Sequence, residues 1–137
     1  PDLAEPVIVA SLKDRWTPAL VLRYGDPASD DRLKRLKQCE KWLKSHPEDP
    51  ALHMALGRLC AGQELWGKAR HHLIESLELQ PTAAGYDALG QLLERQGETE
   101  QALICFRNAL RMSQGRPPEP LPADVARLGP PQDAAPA

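Results

Sequence analysis

Apolar residues recur every three or four positions through the middle of the chain, which is the spacing of one helix face. Between Asp49 and Pro81 this pattern predicts two helices with a turn near Gly62 to Leu65. Asp49 suits the capping position of the first helix, and Pro50 suits its first turn, where a missing N–H costs nothing. Because strand-like alternation is absent, we expect an all-α fold.

The same two-helix pattern recurs further along the chain. Aligning Gly57 with Gly90 gives a shift of 90 − 57 = 33 residues, and other core positions then fall into register. The aligned pairs are Leu56 with Leu89, Ala69 with Ala102, Leu73 with Phe106, Ser76 with Ala109 and Leu77 with Leu110. The full set of predicted repeat-signature residues is Leu56, Gly57, Trp66, Gly67, Ala69, Leu73 and Pro81 in the first unit, and Tyr86, Leu89, Gly90, Ala102, Phe106 and Ala109 in the second. The small residues among them predict that the two helices of each unit pack closely.

This pattern resembles the tetratricopeptide repeat, whose usual period is about 34 residues. The resemblance implies antiparallel helix pairs stacked as a short right-handed superhelix, an α-solenoid. The predicted organisation has N-terminal helices with a degenerate repeat at 1–48, two repeats at 49–81 and 82–114, and a Pro-rich flexible tail at 115–137. Proline and polar composition predict the flexibility of the tail.

Composition excludes some functions. Lys and Arg together number 17 against 19 Asp and Glu, with a net charge of −2, so the basic excess of a nucleic-acid binder is missing. No apolar run approaches the roughly 20 residues of a membrane span, so we expect no membrane insertion by this fragment. The chain starts at Pro1 without an initiator Met, and we expect it to be a piece of a longer protein.

Several short segments resemble the C-terminal repeats of the HemY family of protohaem IX biogenesis proteins. They are Glu40 to Pro47, Leu56 to Leu59, Leu65 to Ala69, and Ser76-Leu77. The resemblance covers about residues 16–112. It implies a scaffold for haem-biosynthesis enzymes, anchored in the bacterial inner membrane by an N-terminal region missing here, with this domain in the cytoplasm.

No sequence motif indicates catalysis, because GxSxG, HExxH and phosphate-binding glycine loops are all absent. We therefore expect a protein that is not an enzyme and that has no catalytic, cofactor-binding or metal-binding residues. His71-His72 is the pair most suggestive of a haem ligand, but adjacent helical positions diverge by about 100°. We interpret both as surface polar residues. Cys39, Cys60 and Cys105 lie on apolar faces and read as small core residues.

Partner binding in such stacks uses the concave wall formed by the first helix of each pair. The residues predicted to form this wall are Met54, Arg58, Ala61, Asp87, Gln91, Glu94 and Arg95. Their mixed charge indicates a polar partner segment, although a wall that is simply solvated remains an equal alternative. Two other functions also stay open: a tetrapyrrole-binding carrier that uses His or Met, and an assembly module unrelated to haem.

Overall fold

The computed structural model describes residues 5–29 and 31–126, and this part of the chain is helical without any strand. Its helices are α1 Glu5–Asp14, α2 Pro18–Tyr24, α3 Arg32–Leu43, α4 Pro50–Gly62, α5 Trp66–Leu79, α6 Ala83–Arg95, α7 Thr99–Ser113 and α8 Ala123–Ala126. The all-α prediction is confirmed for these residues. The end of the predicted tail, 127–137, lies outside them.

Helices α4 and α6 have the same length and begin 33 residues apart, since 83 − 50 = 33. Both are capped by a side chain at equivalent positions. The Asp49 carboxylate accepts from the Ala51 N–H, and the Thr82 hydroxyl accepts from the Gly85 N–H, each at 2.9 Å. Each cap satisfies a backbone N–H that has no partner inside its helix, which fixes where the helix begins.

Close helix contacts depend on two glycines at equivalent positions. Helix α4 packs on α5, and α6 packs on α7. A Cβ atom on Gly57 would lie 2.6 Å from the Leu73 side chain, and one on Gly90 would lie 2.7 Å from the Phe106 ring. Both distances are shorter than a van der Waals contact, so the helices approach as closely as they do because no side chain intervenes.

Helix α5 also packs on α6, which joins the two helix pairs. Leu77 of α5 is buried because it reaches Gly85 at the start of α6. Leu110 occupies the equivalent position on α7 and is 59% exposed. From α3 to α7 each helix packs against the next one in the chain, whereas α2 packs on α4. The superhelical arrangement expected of a solenoid stays a prediction.

The segments that precede α3, α5 and α7 each contain a residue with an uncommon backbone conformation. Asp31, Glu64 and Gly97 have φ values of 54°, 60° and 80°. They are evenly spaced, because 64 − 31 = 33 and 97 − 64 = 33. This left-handed region suits glycine and disfavours residues with a Cβ. The turns at Glu64 and Gly97 are also closed by equivalent hydrogen bonds, from the Leu65 N–H to the Cys60 carbonyl and from the Glu98 N–H to the Leu93 carbonyl, each at 2.9 Å. Asp31 lies directly before α3 in a longer connection.

An aromatic cluster fills the space between the N-terminal helices and α4. Trp16 stacks on His46 at 3.8 Å between ring centroids and meets Trp42 edge-on at 5.4 Å. Tyr24 is fully buried, lies 5.0 Å from Trp42, and donates its hydroxyl to Glu5 at 2.9 Å. The indole N–H of Trp16 donates to the α4 cap residue, Asp49, so this cluster also holds the start of α4.

Residues 115–126 form what we call the C-terminal strap, which turns back along the helices after α7. The Asn108 side chain pairs with the backbone of Glu119, and Arg111 donates to the Pro117 carbonyl at 2.8 Å. Val125 near the end of the strap is fully buried. Composition predicts a flexible tail for this segment. The structure differs, because apolar and hydrogen-bonding residues hold the proline-containing part of the segment against the helices.

The end of the strap bridges two helices that belong to different pairs. Gln101 of α7 donates to the Asp124 carboxylate at 2.9 Å, and Arg70 of α5 donates to the Asp124 carbonyl at 3.1 Å. Arg70 also lies 3.7 Å from Glu98. The strap therefore ties the second helices of the two pairs together.

Candidate partner-binding groove

A groove of about 370 Å³ lies between α4 and α6. Six of the seven predicted wall residues line it: Met54, Arg58, Ala61, Asp87, Gln91 and Arg95. Glu94 is exposed and does not line it. Helical spacing explains the grouping, because these positions recur every three or four residues on facing sides of α4 and α6. Pro27, from the segment after α2, also lines the groove.

Charge in the groove is distributed unevenly. Asp87 accepts a hydrogen bond from the Gln91 amide at 2.7 Å. The Arg95 guanidinium lies over the Trp66 ring at 4.8 Å, a cation–π contact. Arg58 is half-buried and has neither a hydrogen bond nor an ion pair among the described residues. Arg58 is therefore a cation of the groove whose N–H groups are available to an incoming carboxylate.

A second cavity, of about 460 Å³, adjoins the groove. The two cavities share Met54, Arg58 and Ala84, so they form one continuous surface. The second cavity is largely apolar and extends to Pro18 and Leu22 of α2. The prediction missed this part because it considered only the first helices of the two well-formed units. Helix α2 is the first helix of the predicted degenerate repeat. Counting the first helix of that unit as part of the wall would have included Pro18 and Leu22.

The repeat-signature residues lie mostly in the core. Most of them are buried and contact the neighbouring helix: Leu56, Gly57, Ala69, Leu73, Tyr86, Leu89, Gly90 and Ala102. Gly67, Phe106 and Ala109 are half-buried, and Pro81 is exposed in the segment between α5 and α6. Trp66 is half-buried, and its contact with Arg95 links the first turn of α5 to the last turn of α6.

The histidines form a hydrogen-bonded pair between α4 and α5. The Nδ1 atoms of His53 and His72 lie 3.0 Å apart, and His53 Nε2 lies 2.8 Å from the Pro47 carbonyl. A carbonyl only accepts, so His53 carries its proton on Nε2, and the Nδ1–H of His72 then donates to His53. Burial first, and then the nearby His53, lower the pKa of His72 to about 3.

This geometry corrects the interpretation of His71-His72 as surface residues. Both are half-buried, and His72 is bonded to the buried His53. Both ring nitrogens of His53 are engaged, so binding an iron atom would require breaking one of these hydrogen bonds. Among residues 5–29 and 31–126, no three His, Cys, Asp or Glu side chains are grouped to hold a metal ion.

The three cysteines are buried, as their apolar positions predict, and none of them forms a disulfide. Burial raises the pKa of Cys39 to about 12 and that of Cys105 to about 11. Thiols with such pKa values stay protonated at neutral pH and pack as small apolar side chains. In the described part of the chain, no helix is long and apolar enough to cross a membrane.

The described residues thus define an all-α protein with a groove between α4 and α6. The chain is similar to a probable magnetosome protein, Mms48, from Magnetospirillum gryphiswaldense, with 31% identity over 86 residues. That match covers 61% of this chain but only 18% of the relative, so the chain spans less than a fifth of that protein. No family model matches the chain, and no solved structure matches it significantly.

Proposed function

We propose that this chain is a non-catalytic scaffold of tetratricopeptide-type helix pairs that binds a segment of another protein in the groove. The observation that carries the proposal is the convergence of six wall residues from α4 and α6 on one cavity. Concave surfaces with a few polar groups on an apolar lining are the usual binding sites of proteins. The wall residues are well separated in sequence, so their grouping depends on the packing of two helix pairs.

The proposed setting is a haem-biosynthesis assembly at the bacterial inner membrane, with this domain in the cytoplasm. Its support is the resemblance of Leu65 to Ala69 and neighbouring segments to the HemY family. In the structure, Trp66 of that segment contacts Arg95 at the groove, which gives the Trp-Gly pair a place near the proposed site. The partners would then be enzymes of the pathway.

A second candidate is an assembly module without a link to haem. The observation that favours it is the match to a relative described as a magnetosome protein, since that description does not mention haem. Both candidates use the same groove and differ in the partner. The tetrapyrrole carrier is less well supported, because His72 is bonded to the buried His53, and both ring nitrogens of His53 are already engaged.

Site-specific photocrosslinking in cells tests the proposed function. A photoreactive amino acid replaces Gln91, an exposed groove residue, in the full-length protein, and a matched variant carries it at Lys37, exposed on α3. We expect protein crosslinks from position 91 that position 37 does not give. Haem-pathway enzymes among them support the first candidate, and only unrelated proteins support the second. Equal crosslinking from both positions contradicts the scaffold proposal.

A further inference from the structure

The groove and the adjoining cavity differ in chemistry although they form one surface. The cavity is lined mainly by apolar atoms, with Pro18, Leu22 and Ala51 among its residues. The groove has three charged residues in its lining, Arg58, Asp87 and Arg95. A ligand that occupies both must therefore present an apolar side chain on one side and polar groups on the other.

The acidic residues of this surface already have hydrogen-bond donors. Asp49, in the cavity, accepts from the Ala51 N–H at 2.9 Å and from the Trp16 indole. Asp87, in the groove, accepts from Gln91 at 2.7 Å. Neither carboxylate needs a cation from a partner for its hydrogen bonding.

The basic residues are in the opposite situation. The Arg95 guanidinium lies over the face of the Trp66 ring and has no hydrogen bond to another residue that the structure describes. Arg58 is half-buried at the junction of groove and cavity, with no ion pair within the described ranges. A partly desolvated guanidinium in this position favours a carboxylate, which it binds through two parallel hydrogen bonds.

We propose that the partner segment carries a large apolar side chain that enters the cavity between α2, α4 and α6, next to an acidic residue that pairs with Arg58. This rests on the proposed function, because it specifies the chemistry of what the groove binds. The apolar side chain contributes affinity by burial, and the carboxylate fixes the register of the segment. Charge complementarity distinguishes this occupant from a basic segment, which would place its cations against Arg58 and Arg95.

Selection of peptides on the immobilised chain tests the inference. The probe is a display library of random peptides of about 12 residues, long enough to span both cavities as an extended segment. Three variants are used in parallel. Arg58→Glu reverses the groove charge, Ala84→Trp fills the junction from an exposed position, and Lys37→Glu reverses an exposed charge on α3. Helical circular dichroism establishes that each variant is folded.

The expected result is enrichment of peptides with a large apolar residue beside Asp or Glu. Synthetic versions should bind Arg58→Glu and Ala84→Trp about tenfold more weakly or worse, and bind Lys37→Glu as the unaltered chain does. Enrichment of basic peptides, equal loss in Lys37→Glu, or no enrichment overturns the inference. If position 91 gives specific protein crosslinks alongside such a result, the proposed function stands, and only the proposed chemistry of the partner segment is wrong.

Discussion

The side-chain amide of Asn108 donates to the carbonyl of Glu119 at 2.8 Å, and its oxygen accepts from the Glu119 N–H at 2.7 Å. Asn108 is fully buried on α7, and Glu119 lies in the C-terminal strap. The Asn108 side chain thus provides a hydrogen-bond partner for both backbone polar groups of Glu119. Glu119 lies in an irregular segment packed against the core, where these groups need a partner.

Replacing Asn108 with Ala should lower the free energy of unfolding by about 2–3 kcal/mol, because two buried hydrogen bonds are lost and the Glu119 backbone groups lose their partners. Urea unfolding followed by circular dichroism measures the change. Arg107→Ala is the matched control, since it removes an exposed 3.3 Å ion pair to the same Glu119 and should cost less than about 1 kcal/mol. Equal losses for both variants would show that the amide pairing contributes little.

Replacing Glu64 with Gly should raise the free energy of unfolding by about 0.5–1 kcal/mol. Glu64 has a φ of 60°, where a Cβ is unfavourable, whereas Gly relieves that strain at some cost in unfolded-chain entropy. The converse change, Gly97→Ala, places a Cβ in the same conformation and should destabilise the protein by about 1 kcal/mol. Thermal denaturation of both variants provides the measurement. A lower melting temperature for Glu64→Gly would contradict the strain argument.

Replacing Gly90 with Ala should lower the free energy of unfolding by about 1–3 kcal/mol, although Ala is a better helix former than Gly by about 1 kcal/mol. The reason is the 2.7 Å approach of the added Cβ to the Phe106 ring. A second substitution, Phe106→Ala, removes the ring that the added Cβ meets, so Gly90→Ala should cost less in the Phe106→Ala protein than in the unaltered one. Chemical unfolding of the single and double variants measures this coupling. Additive losses would contradict a direct contact.

Acid should destabilise the protein through His72. Its pKa is about 3 in the folded chain against 6.5 when unfolded, so between these values the unfolded state binds more protons. The stability that neutral His72 contributes is therefore complete above about pH 6.5 and falls as the pH drops towards 3, by at most about 1.4 kcal/mol per unit.

The variant His72→Gln isolates this effect, because Gln keeps an N–H donor for His53 and does not titrate. Stability of both proteins is measured by urea unfolding from pH 7 to about pH 4.5, because over this interval His72 becomes protonated in the unfolded state and stays neutral in the folded state. The unaltered chain should lose about 1–2 kcal/mol more than the variant. Parallel pH profiles would show that His72 titrates normally in the folded protein.

Local sequence patterns were enough to predict the helices and the wall. Helical spacing identifies which residues of α4 and α6 share a face, and capping residues such as Asp49 and Thr82 mark where these helices begin. The grouping of Arg58 with Asp87 follows once the two helices are placed side by side, as the 33-residue shift suggests. The left-handed Gly97 was also foreseeable from its residue type.

Features that depend on contacts between distant residues were not predictable in this way. The pairing of Asn108 with Glu119 has no sequence signal, because an Asn in a helix usually faces solvent and a Pro-rich segment usually lacks structure. The bond between His53 and His72 likewise depends on how α4 meets α5. For Glu64, the repeat shift itself carried the information, since it aligns this residue with Gly97.

The three left-handed residues, Asp31, Glu64 and Gly97, preserve the period in the backbone even though their residue types differ. A comparison of repeat proteins by residue identity scores these positions as unrelated, whereas a comparison by dihedral angle scores them as equivalent. Torsion angles at the turns can therefore identify repeat units whose residue types have diverged too far for the repeat to be recognised from the sequence.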